Sequence, residues 1–433
     1  MEFSASVVGL GNLGACLAAS LAHGGISVRG VDVDEDVVRA FQDERAPYDE
    51  PDLLQYIREG SQNLRATTDY SVISETDVTF LFVNTPSRDD GGYSLESVRK
   101  AARSIGEQLA GMDDYHLVVL RSTVMPGTTT GELRDILENA SGKTAGKDFG
   151  LCYCPEFTAV GKVISLMENP DFFLIGEYDE RSGEVLSDLY REWVDEPSPV
   201  RRTDPVSAEI VKMAINTYVT TKISFANNLA QICDGIGGDV DEVTDIITDD
   251  WRINGNFFTA GTAYGGPCFP RDNKAFTALA EAAGTAAPLA AATDQVNRNH
   301  TSWIAKKVRD VTPPSGSVGI LGMAFKPGVT STRESQGRKL VSELQDEFNM
   351  HCYDSMGAEA LRRQFNEEVI IEESIPDVIS QASTVIITVR RDEYAPKSLY
   401  ENNDVVVVDP WRFLEDVSEN NFRHISLGSN NSS

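Results

Sequence analysis

Residues 3–34 decide the fold, and they read FSASVVGLGNLGACLAASLAHGGISVRGVDVD. The segment begins with an apolar run that predicts a buried strand, and this run leads into a G-x-G-x-x-G spacing at Gly9, Gly11 and Gly14. An apolar stretch of helical length follows, and then a second strand pattern that ends at Asp32. Strand, glycine turn, helix, strand and acid in this order are typical of a β-α-β unit that binds a dinucleotide.

Each part of this turn has a physical reason. Gly9 permits a tight turn, Gly11 lets backbone N–H groups approach a pyrophosphate, and Gly14 lets the helix pack on the strand. The helix N-terminus adds the positive end of its dipole. We expect Asp32 to accept hydrogen bonds from both ribose hydroxyls and to repel a 2′-phosphate, which favours NAD over NADP; the alternative is an ordinary turn residue. The predicted cofactor-binding residues are Gly9, Gly11, Asn12, Leu13, Gly14, Asp32, Thr85 and Thr123.

Further strand patterns alternate with helical stretches over the first 200 residues or so, which predicts a doubly wound parallel sheet. In such a sheet, ligands bind beyond the carboxyl ends of the strands. We therefore expect the loops that hold Thr85, Thr123 and Glu156 to face one crevice. The strand patterns after the first two are residues 78–83, 117–120, 151–154 and 172–175.

The middle of the chain is predicted to be helical. Asp204 and Pro205 have the types of an N-cap and a first helical residue, and no helix breaker follows until Gly235. About 30 residues of helix measure about 45 Å, enough to link two domains and to form the core of a homodimer. After the turn-rich residues 312–316, strand and helix patterns return and predict a second, smaller sheet.

These patterns predict an α/β protein with two Rossmann-like, doubly wound parallel-sheet domains joined by a long central helix and a helical middle domain. The predicted boundaries are 1–203 for the NAD-binding domain, 204–305 for the helical domain, 306–426 for the second α/β domain and 427–433 for a disordered tail.

Charge excludes one class of partner. The chain has 433 residues, with 38 Lys and Arg against 67 Asp and Glu, and a formal charge of −29. This balance argues against nucleic acid, which requires clustered cations. No apolar run approaches the roughly 20 residues that span a bilayer, so we expect a cytoplasmic protein with no membrane partner. Such one-sided charge favours a salt-rich, halophilic cytoplasm, where salt screens the repulsion; the alternative is an ordinary acidic protein.

One of the six cysteines lies in a segment that suggests chemistry. Cys268 lies in YGGPCFPRD, residues 264–272, near Arg271 and Lys274, which favour the thiolate that attacks carbonyl carbons. The alternative is a small buried apolar residue. The Cys-x-Cys pair at 152–154 lacks the spacing of zinc ligands, and no metal is expected.

Lys212 and Asn216 are four residues apart on the predicted long helix and therefore share one face. Together they can stabilise an oxyanion that forms when a thiolate adds to an aldehyde. The alternative is a solvated helix face.

The chain resembles the UDP-glucose/GDP-mannose dehydrogenase family almost from end to end. The resemblance implies that the chain oxidises the C6 alcohol of a nucleotide sugar to a carboxylate with two NAD⁺ in succession, as in polysaccharide biosynthesis. The matching segments are GLGNLG with Asp32, YDEPDL (48–53), NTPS (84–87), STVMPGTT (122–129), PEF (155–157), EIVKMAINTY (209–218), YGGPCFPRD (264–272) and GMAFKPGVTSTRES (322–335).

The resemblance also implies residue roles. Cys268 would add to the aldehyde and pass through a thiohemiacetal and a thioester, and Lys212 and Asn216 would hold the oxyanion. Arg252 would reach across a dimer to the substrate phosphate. The implied catalytic residues are Cys268, Lys212, Asn216, Asp272, Thr123 and Glu156, the last three acting through water. The implied substrate-binding residues are Glu156, Phe157, Lys212, Asn216, Arg252, Tyr264, Gly265, Lys326 and Arg333.

Two residues depart from the family pattern. Val160 replaces an acid on the substrate side, which leaves the sugar open, and Pro267 stands where Ser is usual. The sequence Cys-Phe-Pro favours UDP-glucose, with UDP-glucuronate as the product. The alternatives are another UDP- or GDP-sugar (a UDP-hexosamine, UDP-galactose or GDP-mannose), a two-electron dehydrogenase of the β-hydroxyacid or 6-phosphogluconate type, and a non-catalytic nucleotide-sugar sensor.

Overall fold

Strands that are buried on both faces form the centre of each half of the chain. The chain separates into two compact units, Met1–Ala214 and Ile215–Ser433, and each has its own sheet. The computed structural model describes residues 3–194, 198–365, 369–400, 404–414 and 422–429.

The sheet of the first unit has eight strands in the described part of the chain. They are β1 (Ser4–Val8), β2 (Ser27–Val31), β3 (Leu64–Thr67), β4 (Val78–Leu81), β5 (Leu117–Leu120), β6 (Gly150–Tyr153), β7 (Phe173–Glu177) and β8 (Val200–Thr203). The order across the sheet is β3-β2-β1-β4-β5-β6-β7-β8, and β1 lies between β2 and β4. The predicted Rossmann-like sheet is confirmed.

Helices cover both faces of this sheet. Along β5, Leu117 and Val119 join the apolar cluster that contains α1, whereas Val118 and Leu120 join the cluster that contains α4. This alternation places one core on each side of the strand. The helices of this unit are α1 (Asn12–His23), α2 (Glu35–Gln42), α3 (Leu53–Glu59), α4 (Glu96–Leu109), α5 (Arg134–Ser141), α6 (Val163–Glu168) and α7 (Glu180–Trp193).

One edge of the sheet differs from the parallel arrangement that we predicted. β6 and β7 pair in antiparallel fashion, and the other neighbouring strands pair in parallel. A parallel pair needs a crossover connection that carries the chain back to the end of the sheet at which the first strand began. The connection contains α6, which at six residues is about 9 Å long, and the chain enters β7 at the end of the sheet at which β6 stops.

The long helix α8 (Pro205–Ile236) has 32 residues, about 48 Å at 1.5 Å per residue. It begins and ends within a residue or two of the predicted positions. Since the unit boundary falls after Ala214, α8 contributes residues to both units.

The second unit contains the rest of the helical segment and a parallel sheet. Its helices are α9 (Val240–Asp249), α10 (Phe269–Ala282), α11 (Pro288–Val311), α12 (Gln336–Leu344), α13 (Ala358–Arg362) and α14 (Ile375–Gln381). Its described strands are β9 (Ser317–Leu321), β10 (Asn349–Tyr353), β11 (Ile370–Ile371), β12 (Thr384–Ile387), β13 (Val406–Asp409) and β14 (Arg423–Ser426). They lie in the order β11-β10-β9-β12-β13-β14, which confirms the second Rossmann-like sheet.

The domain boundaries stay a prediction, but part of the predicted disordered tail is ordered. Leu427 is buried in an apolar cluster, and the Gly428 carbonyl accepts a hydrogen bond from the Val240 N–H. Leu427 packs in this cluster because its side chain is apolar. Residues 430–433 lie outside the described residues. No helix in the described ranges combines the length and apolarity that a membrane span requires.

His116 gives the fold a dependence on pH. Its side chain is fully buried, with Nδ1 2.8 Å from the Thr76 carbonyl oxygen and Nε2 2.7 Å from the Thr79 hydroxyl. Burial lowers the pKa of His116 from the ordinary 6.5 to about 4. Between these two values the unfolded chain binds a proton that the folded chain does not, so stability falls as the pH falls.

We predict that wild-type stability decreases from pH 6.5 toward pH 4, and that His116→Gln, which cannot titrate, has a shallower decrease. The measurement is the free energy of unfolding against pH at constant KCl. Identical slopes for the two proteins would contradict the assignment. His300, whose pKa burial also lowers to about 4, accounts for part of the remaining slope.

Candidate active site

The glycine turn after β1 leaves no room for two side chains and open space at a third position. Gly9 has φ +95°, and a Cβ there would lie 2.6 Å from the Phe82 carbonyl oxygen. A Cβ at Gly14 would lie 1.9 Å from the Gly9 carbonyl oxygen, whereas one at Gly11 would meet no atom within 4 Å. Gly9 and Gly14 are therefore required by packing, and Gly11 faces space that a ligand can enter.

The groups around this turn fit a dinucleotide. The N-terminus of α1 has no side-chain cap, so its first N–H groups, beginning at Asn12 and Leu13, are suited to bind an anion. Asp32 Oδ2 accepts the Leu10 N–H at 2.6 Å, and Oδ1 accepts the Asp34 N–H at 2.9 Å. Asp32 therefore also closes the turn, a contact that sequence reasoning did not predict.

The loops after β4 and β5 meet, as expected from their place at one edge of the sheet. The Thr85 hydroxyl donates to the Thr123 carbonyl oxygen at 2.7 Å, and the Ser122 hydroxyl donates to the Val83 carbonyl oxygen at 2.6 Å.

Glu156 belongs to a buried ionic cluster. Its carboxylate pairs with Arg121, and the two side chains are 10% and 3% exposed. Arg121 Nη1 also donates to the Tyr190 hydroxyl at 3.0 Å. Lys212 Nζ donates to the Glu156 carbonyl oxygen at 2.6 Å and lies 5.2 Å from the centre of the Phe157 ring. The structure thus brings three predicted residues together and adds Arg121, to which sequence reasoning gave no role.

Glu209 is a second buried carboxylate that the sequence reasoning missed. It accepts the N–H groups of Gly127 and Thr129 at 2.5 and 2.9 Å and the Thr129 hydroxyl at 2.7 Å. Burial raises its pKa. Glu209 ties the STVMPGTT segment to α8. The sequence signal for Glu209 was its position at the start of EIVKMAINTY, but that pattern does not show which residues it contacts.

In the second unit, Cys268 is the one exposed cysteine of the six, and it occupies the N-cap of α10. Asp272 is fully buried, and its N–H donates to the Cys268 carbonyl oxygen at 2.8 Å. Its carboxylate accepts from Asn216 Nδ2 at 2.6 Å and from Arg271 Nε at 3.0 Å. Cys268, Asp272 and Asn216 are therefore neighbours.

The cysteine loop packs against the second α/β region of the same unit. A Cβ at Gly265 would lie 2.2 Å from the Glu334 carbonyl oxygen, and one at Gly266 would lie 2.6 Å from the Phe325 ring. These contacts place the loop beside the segments that hold Lys326 and Arg333.

The other predicted substrate residues have different surroundings. Tyr264 is buried, and its hydroxyl accepts from Asn273 Nδ2 at 2.7 Å; burial raises its pKa. Lys326 is half-buried. Arg333 is exposed and lines a cavity of about 500 Å³ with two further cations, Arg338 and Lys339.

Arg252 lies on an exposed segment, residues 251–257, rather than with the residues around Cys268. Its Nε and Nη2 donate to the Asp250 carboxylate at 2.9 and 2.6 Å. The neighbouring Trp251 is 92% exposed.

Comparison with known families identifies the chain. Residues 3–194 match the NAD binding domain of the UDP-glucose/GDP-mannose dehydrogenase family, residues 206–299 its central domain, and residues 319–416 its UDP binding domain. The chain belongs to the UDP-glucose/GDP-mannose dehydrogenase family. As a member of this family, it is an NAD-dependent oxidoreductase, a nucleotide-sugar 6-dehydrogenase.

The relatives of this chain act on different nucleotide sugars. The chain is 37% identical over 395 residues to the UDP-glucose 6-dehydrogenase AglM of Haloferax volcanii, covering 90% of this chain and 92% of that protein. It is 34% identical over 405 residues to a GDP-mannose 6-dehydrogenase of Pseudomonas savastanoi pv. phaseolicola, covering 90% and 91%. A UDP-glucose dehydrogenase structure from the archaeon Pyrobaculum islandicum superposes with a TM-score of 0.91 at 30% identity, covering 99% and 98%.

We predict that Arg121→Met in this dehydrogenase loses about 3–5 kcal/mol of unfolding free energy, because it leaves the Glu156 carboxylate buried without its partner. The double variant Arg121→Met/Glu156→Leu should recover most of this loss. The matched control is Arg39→Met, which breaks an exposed pair with Asp36 and should cost less than about 1 kcal/mol. Equal losses for the two single variants, measured by denaturant unfolding, would contradict the buried pairing.

Proposed function

We propose that this dehydrogenase oxidises UDP-glucose to UDP-glucuronate in a four-electron reaction through a covalent adduct on Cys268. The observation that carries this proposal is the position of the thiol: Cys268 is exposed, at a helix N-terminus, and next to the buried Asp272, which accepts a hydrogen bond from Asn216.

The chemistry requires a nucleophile at this position. Oxidation of the C6 alcohol leaves an aldehyde, which can lose no second hydride until a nucleophile adds to its carbon. When bound, NAD⁺ accepts the hydride that each oxidation step releases. The Cys268 thiolate forms a carbon–sulfur bond to the aldehyde, giving a thiohemiacetal; its oxidation gives a thioester. Water then releases the carboxylate and restores the thiol.

The remaining roles divide between the predicted catalytic residues. Asn216 and Lys212, four residues apart on α8, donate hydrogen bonds to the oxyanion of the adduct. Asp272, Thr123 and Glu156 hold the water that exchanges protons with the sugar and attacks the thioester. Arg252, Lys326 and Arg333 supply positive charge for the anionic nucleotide. Phe157, Tyr264 and Gly265 complete the substrate-binding set.

The choice of UDP-glucose rests on the Cys-Phe-Pro sequence and on two relatives that are UDP-glucose dehydrogenases. GDP-mannose is the main competitor because other relatives of similar identity act on it. The match of residues 319–416 to the UDP binding domain of the family supports a nucleotide-sugar substrate. A two-electron dehydrogenase would need neither this region nor a nucleophilic cysteine.

We predict that wild-type enzyme releases two NADH per UDP-glucose, and that Cys268→Ser has no steady-state turnover but binds NAD⁺ with unchanged affinity. Cys233→Ser, at a buried cysteine of the same unit, is the matched control and should retain turnover. The measurement is NADH absorbance with a panel of UDP- and GDP-sugars at molar KCl. One NADH per sugar, or full turnover by Cys268→Ser, would refute the mechanism; faster oxidation of another sugar would change the substrate.

We also propose a homodimer formed along α8. Tyr218, Phe225, Ile232 and Ile236 are 49–82% exposed. Their spacing of seven, seven and four residues places them along one side of the helix. A second copy of the same stripe is a self-complementary partner.

The acidic composition and the Haloferax volcanii relative support a cytoplasm rich in salt.

We predict that the protein sediments as a dimer at about 2 M KCl, where charge repulsion is screened, and that Phe225→Asp sediments as a monomer. Thermal stability of the wild type should rise from about 0.1 M to about 2 M KCl. The control is Val33→Asp, at a residue that is 83% exposed outside α8. A dimeric Phe225→Asp would contradict the interface, and stability that is flat or falls with KCl would contradict the salt adaptation.

A further inference from the structure

Glu50, in the YDEPDL segment, has no role in the chemistry described above, yet the residue is buried, with 6% of its surface exposed. Burying a charge is costly unless it is hydrogen-bonded. Its Oε1 accepts the Gly161 N–H at 2.7 Å and the Val163 N–H at 2.9 Å, and its Oε2 lies 3.4 Å from Asn12 Nδ2. One carboxylate therefore contacts two segments that are distant in sequence.

The first segment is the loop that precedes α6. Lys162, the N-cap residue of α6, makes no side-chain cap, and Glu50 supplies the missing acceptor from elsewhere in the fold. This loop begins at Pro155 and includes Glu156 and Phe157, the residues that we assign to the substrate side.

The second segment is the glycine turn. Asn12 is the first residue of α1, where the cofactor pyrophosphate is expected to bind. Its Oδ1 is buried and has no hydrogen-bond partner among the described residues, so the link through Nδ2 to Glu50 is the side-chain contact that fixes its amide.

We propose that Glu50 is a positioning residue that fixes the loop of residues 155–163 relative to the glycine turn. Cofactor binding at the turn then orders this loop, which we assign to the substrate. The assignment of this loop to the substrate rests on the proposed function. The link consists of hydrogen bonds within one unit, and Glu50 itself reaches neither ligand. A hydrogen-bond acceptor at position 50 preserves the link, and loss of the acceptor removes the link.

The test combines hydrogen exchange of a peptide covering residues 158–166, with and without saturating NAD⁺, with steady-state kinetics. In the wild type, NAD⁺ should slow exchange in this peptide. Glu50→Ala should exchange quickly whether or not NAD⁺ is present and should raise KM for UDP-glucose about tenfold, because the loop is misplaced. Glu50→Gln should behave like the wild type, since its oxygen accepts the two N–H groups and its amide can donate to Asn12 Oδ1.

Two further variants separate positioning from stability alone. Asn12→Ala keeps the cap on α6, so exchange without NAD⁺ should match the wild type, while the slowing is lost even at NAD⁺ concentrations that saturate this variant. This variant decides the question even if Glu50→Ala does not fold. His116→Gln, which disturbs a buried hydrogen-bonded side chain outside the link, should leave both the exchange response and KM unchanged.

The inference is overturned if NAD⁺ does not slow exchange in the wild type, if Asn12→Ala retains the slowing, or if His116→Gln and Glu50→Ala have the same effect. Failure of the proposed function looks different. In that case the wild type oxidises no nucleotide sugar although NAD⁺ still slows exchange of the peptide.

Discussion

The close approach of α1 to the end of β1 is the constraint on which the first unit depends. A Cβ at Gly14 would come within 1.9 Å of the Gly9 carbonyl oxygen, so the helix can sit where it does only with glycine at this position. This approach buries Gly14–Ala22 of α1 and leaves its N-terminal N–H groups beyond the strand. Cofactor binding is thus a consequence of backbone packing.

Carboxylates that accept backbone N–H groups fix the turn after the first strand of each sheet. Asp32, after β2, accepts the Leu10 N–H from the turn after the neighbouring β1. Asp354, after β10, accepts the N–H groups of Met323 and Ala324 from the turn after the neighbouring β9. Gly9 and Gly322 have φ of +95° and +104°. The two sheets therefore share a local arrangement, although the sequences of their turns differ.

Sequence patterns predicted the elements that are buried on both sides, because continuous apolar runs report burial directly. The predicted strands over β1, β2, β4, β5, β6 and β7 are all present. The edge strands β3 and β8 were not predicted, because they are short, partly exposed and contain arginine: LRAT and VRRT. The antiparallel pairing of β6 with β7 also escaped prediction, since it depends on the path of a connection rather than on side-chain pattern.

The candidate site divides in a similar way. Local signals identified Cys268, Lys212 and Asn216, because helix spacing and loop composition lie within a short stretch of sequence. Arg121 and Glu50 could not be assigned in this way, because Glu50 meets Gly161 across 111 positions of the sequence. Their partners become known only when the fold brings distant segments together. The roles of the predicted residues stay predictions, although the structure brings many of them into contact within each unit.

The burial of five cysteines and the exposure of one give the protein a selective chemical sensitivity. Burial raises the pKa of Cys16 and Cys352 to about 12, which leaves those thiols protonated and inert at neutral pH. An oxidant or alkylating agent that reaches the folded chain therefore meets Cys268 first. Peroxide or an electrophile would block the proposed chemistry at Cys268 and leave the hydrophobic cores intact. A thiol reductant would convert a sulfenic acid at Cys268 back to the thiol but would not reduce the higher oxides.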